Sequence, residues 1–88
     1  MYNKKYRLEK IEEFNRHNSI YDDIEGSIVY PAYFNIGERG WFLYIENGWY
    51  ELAHRIHTSV INNVEYTEDG NIIVTTQNTK FTFTLVKQ

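Results

Sequence analysis

The run from Trp41 to Arg55 constrains this chain most: two alternating segments joined by Asn47-Gly48. Asn-Gly is the strongest short signal for a two-residue type I′ hairpin turn, because both central residues need φ > 0. Such a turn sets Ile45 opposite Tyr50, Leu43 opposite Leu52 and Trp41 opposite His54, all on one face. Phe42, Tyr44 and Trp49 then project from the other face. A slip of one residue exchanges the two sets, so the register matters wherever one face meets a core.

Parity carries the pattern onward. A three-residue loop, Glu68-Asp69-Gly70, pairs Tyr66 with Ile72 and Val64 with Val74, whereas a two-residue loop would set Val74 against Glu65. The three-residue form is a type I turn followed by a left-handed Gly that makes a bulge. A last turn centred on Asn78-Thr79 places Thr76 opposite Phe81, Val74 opposite Phe83 and Ile72 opposite Leu85. Thr75 and Thr82 then face outward as a cross-strand pair. Between Tyr50 and Tyr66 there is no Gly, Pro or Asp. That is long for one strand, about 5–6 residues being usual, so two strands joined by a bend at His57-Thr58-Ser59 are expected. Upstream, residues 27–36 read as a strand with Ile28, Tyr30, Ala32, Phe34 and Ile36 on one face. Pro31 has no N–H to donate, which predicts an edge or a bulge there. The expected core is Leu43, Ile45, Tyr50, Leu52, Ile56, Val64, Ile72, Val74, Phe81 and Phe83.

The N-terminus reads differently. Leu8, Ile11 and Phe14 recur at helical spacing, and Glu12 stands four before Arg16, with Asn18 placed to close the helix. Ser19–Asp22 has a capping-box spacing, so a short helical turn over residues 20–25 should stop at Gly26. The predicted fold class is therefore α+β: an N-terminal helix packed on a strongly bent antiparallel β-meander, an SH3-like small barrel of five to six strands. One domain, 1–88, divides into a helical segment, 1–26, and the meander, 27–88.

Composition removes several function classes. There is no Cys, hence no disulfide, thiolate metal site or Cys nucleophile. No apolar run approaches the ~18 residues of a membrane span, and the polar, charged first residues do not read as a signal peptide, so a cytoplasmic location is expected. A formal net charge of −3 disfavours non-specific phosphate binding. Phe, Ile, Lys, Asn and Tyr are heavily used and Ala occurs only twice. These five are spelled by A/T-rich codons, which points to a low-GC bacterium or to a phage or mobile element living in one.

No nucleophile elbow surrounds Ser59, and nothing matches a phosphate-binding loop or a dinucleotide fingerprint. His54 and His57 lie three apart, on opposite faces of a strand, so they do not jointly chelate. No enzyme activity, cofactor or metal is expected. Three surfaces are candidates for binding. The aromatic face, Phe42, Tyr44 and Trp49, either contacts a partner or a second copy, or is covered by the N-terminal helix. The acidic cluster Asp22, Asp23 and Glu25 either mimics phosphate for a basic partner or is solvated. The polar set His54, Thr58, Asn62 and Thr76 has core-face parity, so its members bond one another, sit at a barrel mouth or line a pocket.

The stretch Arg55-Ile56-His57-Thr58-Ser59-Val60, followed by residues 74–81 with their Thr-Gln-Asn-Thr-Lys-Phe ending, resembles a recurring tail in small uncharacterised phage-type and bacterial proteins. The resemblance implies a small β-domain of phage or mobile-element origin. The expected function is a non-enzymatic protein-interaction module that modulates or inhibits a host factor or defence system. The alternatives are a small-ligand sequestrant with a polar pocket at a barrel mouth or subunit interface, and a nucleic-acid-binding barrel. The expected partner is another protein or a second copy, with nucleic acid disfavoured and no membrane.

Overall fold

The Leu8–Ile11 spacing that imitates a helix belongs to a bulged strand. The computed structural model describes residues 4–15, 18–45 and 53–86. In it β1 (Tyr6–Glu13) is extended. Tyr6 and Leu8 are buried. The register against the last strand then shifts by one residue between Leu8 and Lys10. That extra residue moves the inward position to Ile11, which packs on the core. A bulge changes a period of two into a local step of three, which is the step a helix also shows. The predicted N-terminal helix, and the helical segment 1–26, are thus corrected to a strand followed by one short helix. Pairing decides the matter: β1 covers the free edge of the last strand and closes the sheet, leaving no edge unpaired.

After β1 come α1 (Ser19–Ile24), β2 (Ile28–Tyr33), β3 (Arg39–Ile45), β4 (Ala53–Tyr66), β5 (Ile72–Thr76) and β6 (Thr79–Leu85). The six strands form a closed antiparallel barrel in chain order, β6 returning to β1. The small barrel stands; the class is an all-β barrel with a helical plug. Asn18 starts α1 instead of ending a helix before it, its side chain accepting the Ile20 N–H at 3.2 Å. Tyr21 and Ile24 insert from α1 into the core. Tyr21 meets Phe81 edge-on at 5.4 Å. No helix among the described residues is long and apolar enough to cross a membrane.

The first hairpin carries the largest correction. His54 pairs with Tyr44, Arg55 with Leu43 and Ile56 with Phe42. The expected partner of His54 was Trp41, three positions earlier, and an odd displacement exchanges the faces. Phe42 is therefore fully buried, at 0 % exposure, between Phe81 and Phe83. Leu43 and Ile45 leave the core and lie half-buried on the outer side. The strand is apolar on both faces, Trp41, Leu43 and Ile45 against Phe42 and Tyr44, so hydrophobicity alone does not choose between them. The Asn47-Gly48 turn, Trp49, Tyr50 and Leu52 lie outside the described residues.

The later hairpins follow the reading more closely. Val64 pairs with Val74 and Tyr66 with Ile72. Thr67 and Asn71 close the Glu68-Asp69-Gly70 loop, and Gly70 has φ of 88°. The β5–β6 pairing puts Val74 opposite Phe81 and Ile72 opposite Phe83, two residues from the expected register. An even shift keeps the faces, so Ile72, Val74, Phe81 and Phe83 are all core, while Thr75 pairs with Lys80 and not with Thr82. β4 is one strand of 14 residues, not two. Its register against β3 shifts at Thr58-Ser59, where the bend was expected. A second shift, against β5 beside Asn62, leaves Ile61 inward and Asn62 exposed. On β2 the shift after Pro31 is the predicted bulge. Of the expected set, Tyr30 is buried and Phe34 packs on the core, while Ala32 and Ile36 are exposed and the odd-numbered Val29 is fully buried.

Candidate functional site

Apolar side chains converge in the barrel interior, and clefts open at its mouths. At the mouth where β1 begins, β4 ends and β5 begins, Tyr6, Tyr33 and Tyr66 surround a groove of about 220 Å3. Phe34, Pro31 and Ile72 supply its apolar wall, and Lys4 stands on it. Tyr66 is 68 % exposed and Tyr33 39 %. The Tyr33 hydroxyl donates to Glu38 Oε2 at 2.9 Å and accepts from Asn35 Nδ2 at 2.9 Å, which holds the ring upright. Among the described residues the hydroxyls of Tyr6 and Tyr66 have no hydrogen-bond partner.

Burial, and then the neighbouring Tyr66, push the Tyr6 hydroxyl above the ordinary tyrosine value of 10.0. Hydrogen bonding to the Glu38 carboxylate does the same for Tyr33. A raised folded-state value favours the neutral ring in the fold. The associated stability is complete below about pH 10 and is lost as pH rises through the folded-state values. Melting temperature should therefore stay level on this account up to about pH 9 and fall above about pH 10. Tyr6→Phe should flatten that fall, read by circular dichroism across an alkaline series; an identical slope would remove Tyr6 as its source.

The opposite mouth, where β1 ends and β6 begins, holds a polar cleft of about 140 Å3. Thr58, 1 % exposed, organises its floor. Its hydroxyl accepts the Gly40 N–H at 2.9 Å and donates to the Ser59 carbonyl at 2.7 Å. Arg39 Nε donates to the Thr58 carbonyl at 3.0 Å. Asn78 Nδ2 donates to Ser59 Oγ at 3.1 Å, and Glu13 Oε2 accepts the Asn18 N–H at 2.6 Å. His57 completes the wall.

The residues singled out from sequence are distributed otherwise. Phe42 is core and reaches no partner, correcting its assignment to an outward face. Tyr44 is half-buried, stacks on His54 at 6.0 Å and borders a wider depression with Ile20, Ile24 and Ile56. Trp49 lies outside the described residues. Asp22 and Asp23 are exposed on α1. Glu25 has a structural task, its Oε2 accepting the Ile11 N–H at 2.7 Å beside the β1 bulge. The polar quartet does not assemble into one pocket. Asn62 is exposed because the β4 bulges break the parity that grouped it with Thr58; His54 keeps that parity, yet is exposed and stacks on Tyr44. Thr76 is buried and closes the β5–β6 turn, accepting the N–H groups of Asn78 and Thr79. Only Thr58 lines the polar cleft. Among the described residues no three His, Asp or Glu side chains are grouped for a metal ion. Arg39 and the three tyrosines escaped the sequence reading, for they lie far apart in the chain and carry no motif.

No protein-family model matches this chain, and neither does any curated protein or solved structure.

Proposed function

We propose that this protein is a non-enzymatic binding module that takes an extended, proline-containing segment of a partner protein into its tyrosine-lined mouth. The carrying observation is Tyr66, 68 % exposed beside Tyr33 and above an apolar wall of Phe34, Pro31 and Ile72. A solvent-facing cluster of aromatic rings is a costly surface, and such patches serve contact. Tyrosine brings large, rigid contact area at low entropic cost.

The geometry favours a polyproline-type ligand. Such a segment makes no internal hydrogen bonds, so its carbonyls need donors from outside. The unbonded hydroxyls of Tyr6 and Tyr66 are donors of that kind, and flat rings accept proline faces. This is the mode of SH3 domains, reached here through the tyrosines and not through shared topology. The phage or mobile-element origin suggested by composition fits a module that modulates a host protein. Among the described residues a single lysine, Lys4, lines the groove, too little positive charge for a nucleic-acid backbone.

The test is fluorescence polarisation with a labelled oligoproline peptide. Tyr66→Ala should weaken binding about tenfold or more, the effect of losing a central aromatic contact, and the melting curve should hardly move. Saturable binding that survives Tyr66→Ala unchanged, or none at millimolar peptide, would defeat the proposal. Steep salt dependence with single-stranded nucleic acid would replace it by a stacking role.

A further inference from the structure

The polar cleft is lined by a cation, the exposed Arg39 side chain. Arg39 makes one hydrogen bond among the described residues, through Nε to the Thr58 carbonyl. Among the described residues it forms no ion pair with a carboxylate. The Nε bond fixes the plane of the guanidinium and turns its two terminal nitrogens into a preset fork. A fork of this kind matches the two oxygens of a carboxylate. Around it stand His57, the Ser59 hydroxyl, which already accepts from Asn78, and the Asn78 amide.

Size and charge narrow the ligand. The cleft is the smaller of the two at the barrel mouths, about 140 Å3 against about 220 Å3. Glu13 lies on the same wall, its carboxylate held by the Asn18 N–H. A fixed negative charge there repels a dianion more than a monoanion. We infer that this cleft is a binding site for a small monocarboxylate, held end-on by the Arg39 guanidinium with the Ser59 hydroxyl and the Asn78 amide beside it. The site shares no residue with the tyrosine groove, and its fate is independent of that reading.

Amide chemical-shift titration tests it, with sodium acetate, glycine, inorganic phosphate and sodium chloride as four separate probes at matched ionic strength. Acetate or glycine should give saturable shifts confined to Arg39, Thr58, Ser59 and Asn78, with phosphate weaker and chloride inert. Arg39→Gln should weaken carboxylate binding about tenfold or more, as for loss of a charge-assisted bidentate contact. Arg39→Lys keeps the charge without the fork and should fall between the two. Tyr66→Ala should leave the titration as it is. Phosphate binding tighter than acetate would overturn the ligand class. Shifts spread equally over Lys4, Arg7 and Lys80, or undiminished in both Arg39 variants, would overturn the site. Because the probes compare ligands on the unaltered protein, a variant that fails to fold still leaves a decisive result.

Discussion

Phe42→Ala should cost about 3–5 kcal/mol, the range for deleting a large buried aromatic. A small domain holds only about 5–15 kcal/mol in all, so the variant is expected to be partly unfolded at room temperature. Phe42 is fully buried, meeting Phe83 edge-on at 5.4 Å and Phe81 at 6.0 Å, while Phe81 and Phe83 stack on each other at 6.2 Å. Removing it takes the central ring from this triad and leaves a cavity that a closed barrel cannot collapse to fill. Leu43, its neighbour on the outer face, is half-buried and outside the core. Leu43→Ala should cost about 1 kcal/mol, the middle of the ordinary range. Urea denaturation of the pair discriminates the two possible registers of β3. A larger loss for Leu43→Ala than for Phe42→Ala would restore the face assignment that parity favoured.

Gly40→Ala should be destabilising by about 1–3 kcal/mol, as for overpacking in a dense interior, although it adds one methyl group and relieves no special φ. A Cβ at Gly40 would lie 2.6 Å from the Tyr33 carbonyl oxygen, 2.7 Å from Ile61 Cδ1 and 2.8 Å from Phe34 Cδ1. The side chains can turn away, but the carbonyl cannot move unless β2 moves with it. Gly40 sits where β2 and β4 both carry register shifts against β3. At that place the barrel wall bends sharply, and only a residue without a side chain lets the strands approach. Displacing β3 also strains the Gly40 N–H bond to Thr58, and with it the floor of the polar cleft. The urea midpoint should fall with the slope unchanged. Unaltered stability would mean that the β2 bulge is loose.

The two variants mark where sequence reading stops. From Tyr66 onward the pattern was legible, since turn chemistry and parity agree there. Glu68-Asp69-Gly70 has the residues its loop requires, and β5 and β6 each keep one apolar face: Ile72 and Val74, then Phe81 and Phe83. The β5–β6 register moved by two residues without disturbing either face, because period-two alternation is blind to even shifts. β3 was not legible, since both of its faces are apolar. β1 was misread because a bulge between Leu8 and Lys10 makes a helical step inside a strand. The two mouths were invisible for a different reason: Tyr6, Tyr33 and Tyr66 converge only through barrel closure, as do Arg39, Ser59 and Asn78.

The amino-acid sequence by itself determined that this is a small antiparallel β-meander with Ile72, Val74, Phe81 and Phe83 inside. Alternation and turn residues are local properties, written in consecutive positions. Tertiary structure alone decided which face of β3 turns inward, that the first segment is a strand, and which polar groups meet. Those outcomes depend on closing the sheet: β6 offers an open edge that β1 satisfies, and the curvature of closure is taken up in bulges at Lys10, Pro31 and Thr58-Ser59. Each bulge reverses the local parity, so the faces that follow it are set by the barrel as a whole.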